Sequence, residues 1–102
     1  MSEKINIQPN EDPKEFYLRF KERLEEHHNF PEDYTFKFII DNDSSKLTDM
    51  YRIFDDLRHT FSTKESKNGK YISCTFVAFV LSSDQVIELY KKVASVEGVV
   101  ML

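Results

Sequence analysis

Cysteine is nearly absent from this 102-residue chain. Cys74 stands alone, so neither an internal disulfide nor a thiolate metal cluster can form, and nothing in the sequence is built for an oxidising compartment. Two glycines and three prolines are too few for a flexible linker or a collagen-like chain, so most of the chain is expected to be ordered. No apolar run approaches the ~20 residues of a membrane-spanning helix. Met1 to Pro13 mixes charges of both signs, so neither a signal peptide nor a membrane contact is expected, and the expected compartment is cytoplasmic. An excess of positive charge is also lacking. The net charge of −4 opposes binding to a phosphate backbone, whose affinity comes from Lys and Arg displacing counterions.

What is present is globular: 40% hydrophobic and 31% charged residues, in a length suited to one domain over residues 1–102. After a tail over residues 1–12, Asp12-Pro13-Lys14-Glu15 places an N-cap acid, a Pro at the first helical position and a Glu three residues after the cap. The pattern predicts a helix over residues 13–28, with Phe16, Tyr17, Phe20 and Leu24 forming a narrow apolar stripe. Pro31 steers the chain out of the helical region. From Tyr34 the period becomes two, with Tyr34, Phe36, Phe38 and Ile40 on the drier face of a strand. Leu47, Met50, Phe54, Leu57 and Phe61 then recur at helical spacing and predict a second helix from Ser45 to Thr60, with His59 near its end.

Asn68-Gly69 lies between two β-prone segments and suits a two-residue type I′ hairpin turn. The second segment, Lys70 to Leu81, alternates Ile72, Cys74, Phe76, Ala78 and Val80 with Tyr71, Ser73, Thr75, Val77 and Phe79. Ser82 and Gln85 fit a capping box that starts a third helix, Gly98 suits a left-handed C-terminal cap, and Val99 to Leu102 forms a last strand. The order over residues 34–102 is β-α-β-β-α-β. Right-handed connections turn that order into an α+β, ferredoxin-like split sandwich with an additional N-terminal helix. Both core helices then cover one sheet face. The other face is open and carries Lys37, Ile39, Tyr71, Val77 and Phe79, a candidate interaction face, and the extra helix is expected to pack across it near Tyr71, Val77 and Phe79 or against the same surface of a second chain.

Phe30-Pro31, the strand Tyr34-Thr35-Phe36-Lys37-Phe38-Ile39, the segment Ser66 to Ser73, and the ending Leu89-Tyr90 through Gly98-Val99-Val100-Met101-Leu102 together resemble the YbeD-like family, small bacterial proteins of unknown function. The resemblance spans roughly Phe30 to Leu102. It implies a ferredoxin-like fold similar to regulatory domains of the ACT type, and a regulatory or binding role without catalytic residues. The Pro13 to His28 helix is longer than the resemblance leads one to expect. In ACT-type domains the loop after the first strand often meets amino-acid ligands. Here Asp41, Asp43, Ser44 and Ser45 form that candidate ligand loop, without the Gly that lets a backbone approach closely.

Other chemistries find no support in the sequence. Adjacent helical residues point ~100° apart, so His27 and His28 cannot converge on one ion. Asp41 to Arg52 begins like a calcium loop but has Lys46 where Gly is needed and Arg52 where a bidentate Glu is needed. Cys74 alternates with inward apolar residues and has no positioned base. The Lys/Arg-Gly-aromatic signature of RNA-binding sheets is missing. The expectation is therefore a non-enzymatic regulatory or adaptor domain acting through protein–protein contacts at the open sheet face or an edge strand, a second copy of the chain included, with no cofactor and no metal. The alternative is sensing of a small metabolite at the 41–47 loop.

Overall fold

The computed structural model describes residues 12–102. The expected tail therefore lies outside the described residues, but for Asp12. Asp12 opens α1, Pro13–His27, by accepting the Lys14 N–H at 2.8 Å, and Pro13 takes the first helical position. The remaining elements are β1, Glu32–Asp41, α2, Ser44–Phe54, β2, His59–Glu65, β3, Tyr71–Val80, α3, Ser83–Ala94, and β4, Val100–Met101. They form a four-stranded antiparallel sheet in the order β2-β3-β1-β4, the ferredoxin-like arrangement with helices against one face.

The alternation in β1 and β3 is realised in the packing. Tyr34, Phe36, Phe38 and Ile40 of β1 and Ile72, Cys74, Phe76, Ala78 and Val80 of β3 are all buried beneath Met50 and Phe54 of α2 and Val86, Leu89 and Val93 of α3. Aromatic rings fill much of this core: Phe76 stacks between Phe54 at 4.1 Å and Phe61 at 4.5 Å.

Four sequence expectations are corrected. The second helix stops at Phe54 instead of reaching Thr60, because the chain turns at Asp55–Leu57, where Leu57 N–H bonds Phe54 C=O. His59 and Phe61 are consequently strand residues. Phe61 still reaches the core, because a residue four past Leu57 on a helix is also an inward position on the strand that follows. The hairpin turn is not a two-residue one centred on Asn68-Gly69. Gly69 N–H bonds Ser66 C=O, so Lys67 and Asn68 are central, and the closing pair is Ser66–Tyr71. Asn68 Oδ1 accepts the Lys70 N–H at 3.0 Å, which takes that donor away from the tighter turn. Gly69 nonetheless has φ +70°. Gly98, φ +77°, lies in the loop before β4, and the α3 cap is Ser95.

The fourth correction concerns α1. An apolar stripe on an extra helix favours the bare sheet face as its dock, near Tyr71, Val77 and Phe79, or that face of a second chain. The helix instead joins the helical layer and runs antiparallel to α3. Leu24 is fully buried and Phe20 nearly so, the Phe20 ring 5.3 Å from Tyr90. Burial of each of these two side chains is worth about 1.5–3 kcal/mol relative to exposure. Lys21 Nζ meets Asp84 Oδ1 at 3.0 Å, Ser83 Oγ donates to Glu25 Oε1 at 2.8 Å, and the Lys91 ammonium lies 4.7 Å from the Tyr17 ring centre. Tyr90 of α3 gives the Phe20 ring of α1 its aromatic partner.

Candidate functional site

The open face is assembled by strand register. Thr35 pairs with Val77, Lys37 with Thr75 and Ile39 with Ser73, while Thr60, Ser62 and Lys64 continue these rows on β2 and Val100 extends the Ile39 row on β4. Period-two geometry sends all of these side chains away from the helices. Ile39, Val77 and Phe79 are half-buried by their neighbours, whereas Lys37 and Tyr71 are exposed and Val100 is 53% exposed. The result is a mixed surface: the middle row carries Ser62, Thr75 and Lys37, with Ile39 and Val100 to one side of it and Val77 and Phe79 to the other.

Both aromatic rings of this face already have cationic neighbours. Arg58 lies 4.8 Å from the Phe79 ring centre and Lys70 5.4 Å from that of Tyr71. Arg58 escapes a reading of the sequence as a helix residue, because its place over Phe79 depends on α2 ending early. The signal for it was the alternation of His59, Phe61 and Thr63, which begins immediately after it. Asp33, Arg58, Thr60 and Val77 also border a shallow hollow of about 210 Å³ at this end of the sheet.

The loop after β1 is held by its own polar groups. Asp43 caps α2: its Oδ1 accepts the Ser45 hydroxyl at 2.7 Å and the Ser45 N–H at 2.8 Å. These bonds, the hydroxyl foremost, hold the Asp43 carboxyl below its usual range. Asp41 Oδ2 pairs with Lys46 Nζ at 2.8 Å, which raises the Lys46 ammonium above its ordinary value. Asn42 Nδ2 donates to the Gly69 carbonyl at 2.7 Å, tying this loop to the hairpin. Beside it, a groove of about 430 Å³ runs along α2 and the loop after α3, lined by Lys46, Arg52, Ile53, Val96 and Glu97 among others.

The histidines lie apart in role. His27 is exposed, the His28 ring lies 5.1 Å from Tyr34 and 5.7 Å from Phe30, and His59 Nδ1 bonds the Leu57 carbonyl oxygen at 2.8 Å. Among the described residues no three His, Cys, Asp or Glu side chains converge as a metal set would. Cys74 is buried, and burial pushes its thiol up from the ordinary value. No described helix is long and apolar enough to cross a membrane.

Residues 25–102 match the family described as Protein of unknown function (DUF493). The chain belongs to this family. The YbeD-like proteins that its sequence resembles are members of the same DUF493 family. The match covers the last turn of α1 and every later element, so most of α1 precedes it. No curated protein and no solved structure matches the chain.

Proposed function

We propose that this DUF493 chain is a non-enzymatic regulatory or adaptor domain that works by binding another protein on its open sheet face. One observation supports the reading: the helices of the described residues all lie on the other side, and even the additional helix does not cover the face of Lys37, Ile39, Tyr71, Val77 and Phe79. An open surface that mixes β-branched and aromatic side chains with hydroxyls and the exposed Lys37 suits a protein surface better than an enclosed small molecule. The loop of Asp41, Asp43, Ser44 and Ser45 offers less to a ligand, since both its carboxylates already serve a helix cap and an ion pair.

The test is capture of partners by the parent, by Ile39→Glu and Val77→Lys on the face, and by Glu22→Lys on the exposed side of α1. The reading expects a specific protein retained by the parent and the α1 variant and lost by both face variants, all four remaining folded. Capture unaffected by the face variants would sink it. ACT-like sensing would show instead as thermal stabilisation by an amino acid, about 2.7 kcal/mol at ~100 times its dissociation constant.

A further inference from the structure

The two edges of the sheet are treated differently. At one, β4 is only two residues long. At the other, β2 runs seven residues with no Pro, no Gly and an unbroken register, although sheets ordinarily blunt such an edge. Arg58 C=O accepts from Phe79 N–H, and Ser66 N–H donates to Tyr71 C=O, each at 2.9 Å. Because bonding alternates along an antiparallel pair, the even-numbered residues of β2 face β3, and His59, Phe61, Thr63 and Glu65 direct their N–H and C=O groups outward. Among the described residues nothing pairs with them. Above this edge an aromatic ledge stands in water: Tyr51, 44% exposed, leans on His59 at 5.6 Å and Phe61 at 5.7 Å.

We propose that a second copy of this chain pairs antiparallel with β2 about a two-fold axis at Ser62, joining two sheets into one. The strand is complementary to itself in that register. Phe61 faces Thr63 and His59 faces Glu65, all four with backbone groups in bonding phase, while Lys64 faces Thr60 on the other side. No like charges oppose one another. Shifting the axis to Phe61 or Thr63 keeps the phase but shortens the pairing and separates Glu65 from His59. The Tyr51 ledges of the two copies cover the junction, as an isologous contact requires. The interface uses an edge and not the open face, so it does not rest on the function proposed above, and it would double the face available to a partner.

Light scattering across a dilution series tests the inference on the whole chain. The parent should show twice the chain mass. Thr63→Pro removes only an outward N–H, so it should stay folded and become monomeric. Tyr51→Lys and Glu65→Lys should each weaken the dimer about tenfold or more, a loss of ~1.4 kcal/mol or more. Ile39→Glu should leave it intact. A monomeric parent overturns the inference while leaving the open-face reading standing. A dimer that survives Thr63→Pro and Tyr51→Lys, or that Ile39→Glu dissolves, overturns it in favour of another surface. A monomer whose Phe61 and Thr63 amides resist hydrogen exchange until Met1 to Glu11 are removed overturns it too, because the edge is then filled from within the chain.

Discussion

Leu24→Ala probes the seat of α1 most directly. Leu24 is fully buried and, with Phe20, anchors the helix, whereas Leu18, earlier on the same helix, is 62% exposed. Removing buried atoms from a site that cannot collapse costs about 2–5 kcal/mol for Leu→Ala, and a helix held to α3 by the Phe20–Tyr90 rings, the Lys21–Asp84 ion pair and the Ser83–Glu25 hydrogen bond has little freedom to close the gap. The expected loss is about 3 kcal/mol, a fall in melting temperature of roughly 10–20 °C for a domain of this size. Leu18→Ala removes the same atoms from water, and Ala is the better helix former, so its change should stay within about 0.5 kcal/mol. Urea unfolding followed by far-ultraviolet circular dichroism measures both, with equal slopes showing that the midpoints report stability. Coincident midpoints for the two variants would mean that α1 is not seated on α3 and that the open face could be its dock after all.

Two further outcomes follow from local geometry. Gly69→Val should destabilise by roughly 1 kcal/mol or more, since a β-branched side chain resists φ +70° and only Glu65 Oε2, at 4.0 Å, stands near the added carbon; equal melting temperatures would remove the left-handed turn. Asp43 has its carboxyl pKa lowered on folding, so its stabilising share is present above the unfolded value and is lost as pH falls through the folded one. Between neutral pH and about pH 3, Asp43→Asn should therefore lose less stability than the parent, and parallel pH profiles would refute the assignment.

Function was the least legible part of the sequence. The open-face residues could be named because period two sends alternate side chains to opposite faces, and the buried set from Tyr34 to Ile40 and from Ile72 to Val80 identifies the other face. That a surface is bare is a different kind of fact. An amphipathic stripe on α1 demands burial somewhere, and only the position of the Tyr90 ring on α3 says where.

What the chain's sequence determined by itself is what local chemistry controls. Asp12 and Pro13 start α1, Ser82 accepts the Gln85 N–H at the start of α3, and strict alternation makes β1 and β3 strands with one dry face. Each depends on residues a few positions apart, so short-range rules suffice. Gln85 already departs from the local rule, its Oε1 accepting from Leu81 N–H where a capping box would have it reach Ser82. Tertiary structure decided wherever two local readings were equally satisfied. Leu57 and Phe61 fit a helical stripe as well as a turn and a strand, and the choice fell to the strand because β2 must pair with β3 and bring Phe61 onto Phe76. Asn68-Gly69 fits a two-residue turn as well as the end of a longer one, and the hydrogen-bond phase of the whole β2–β3 ladder selected the longer. In each case the deciding energy lies in contacts between residues distant in sequence, which no short window of the chain contains.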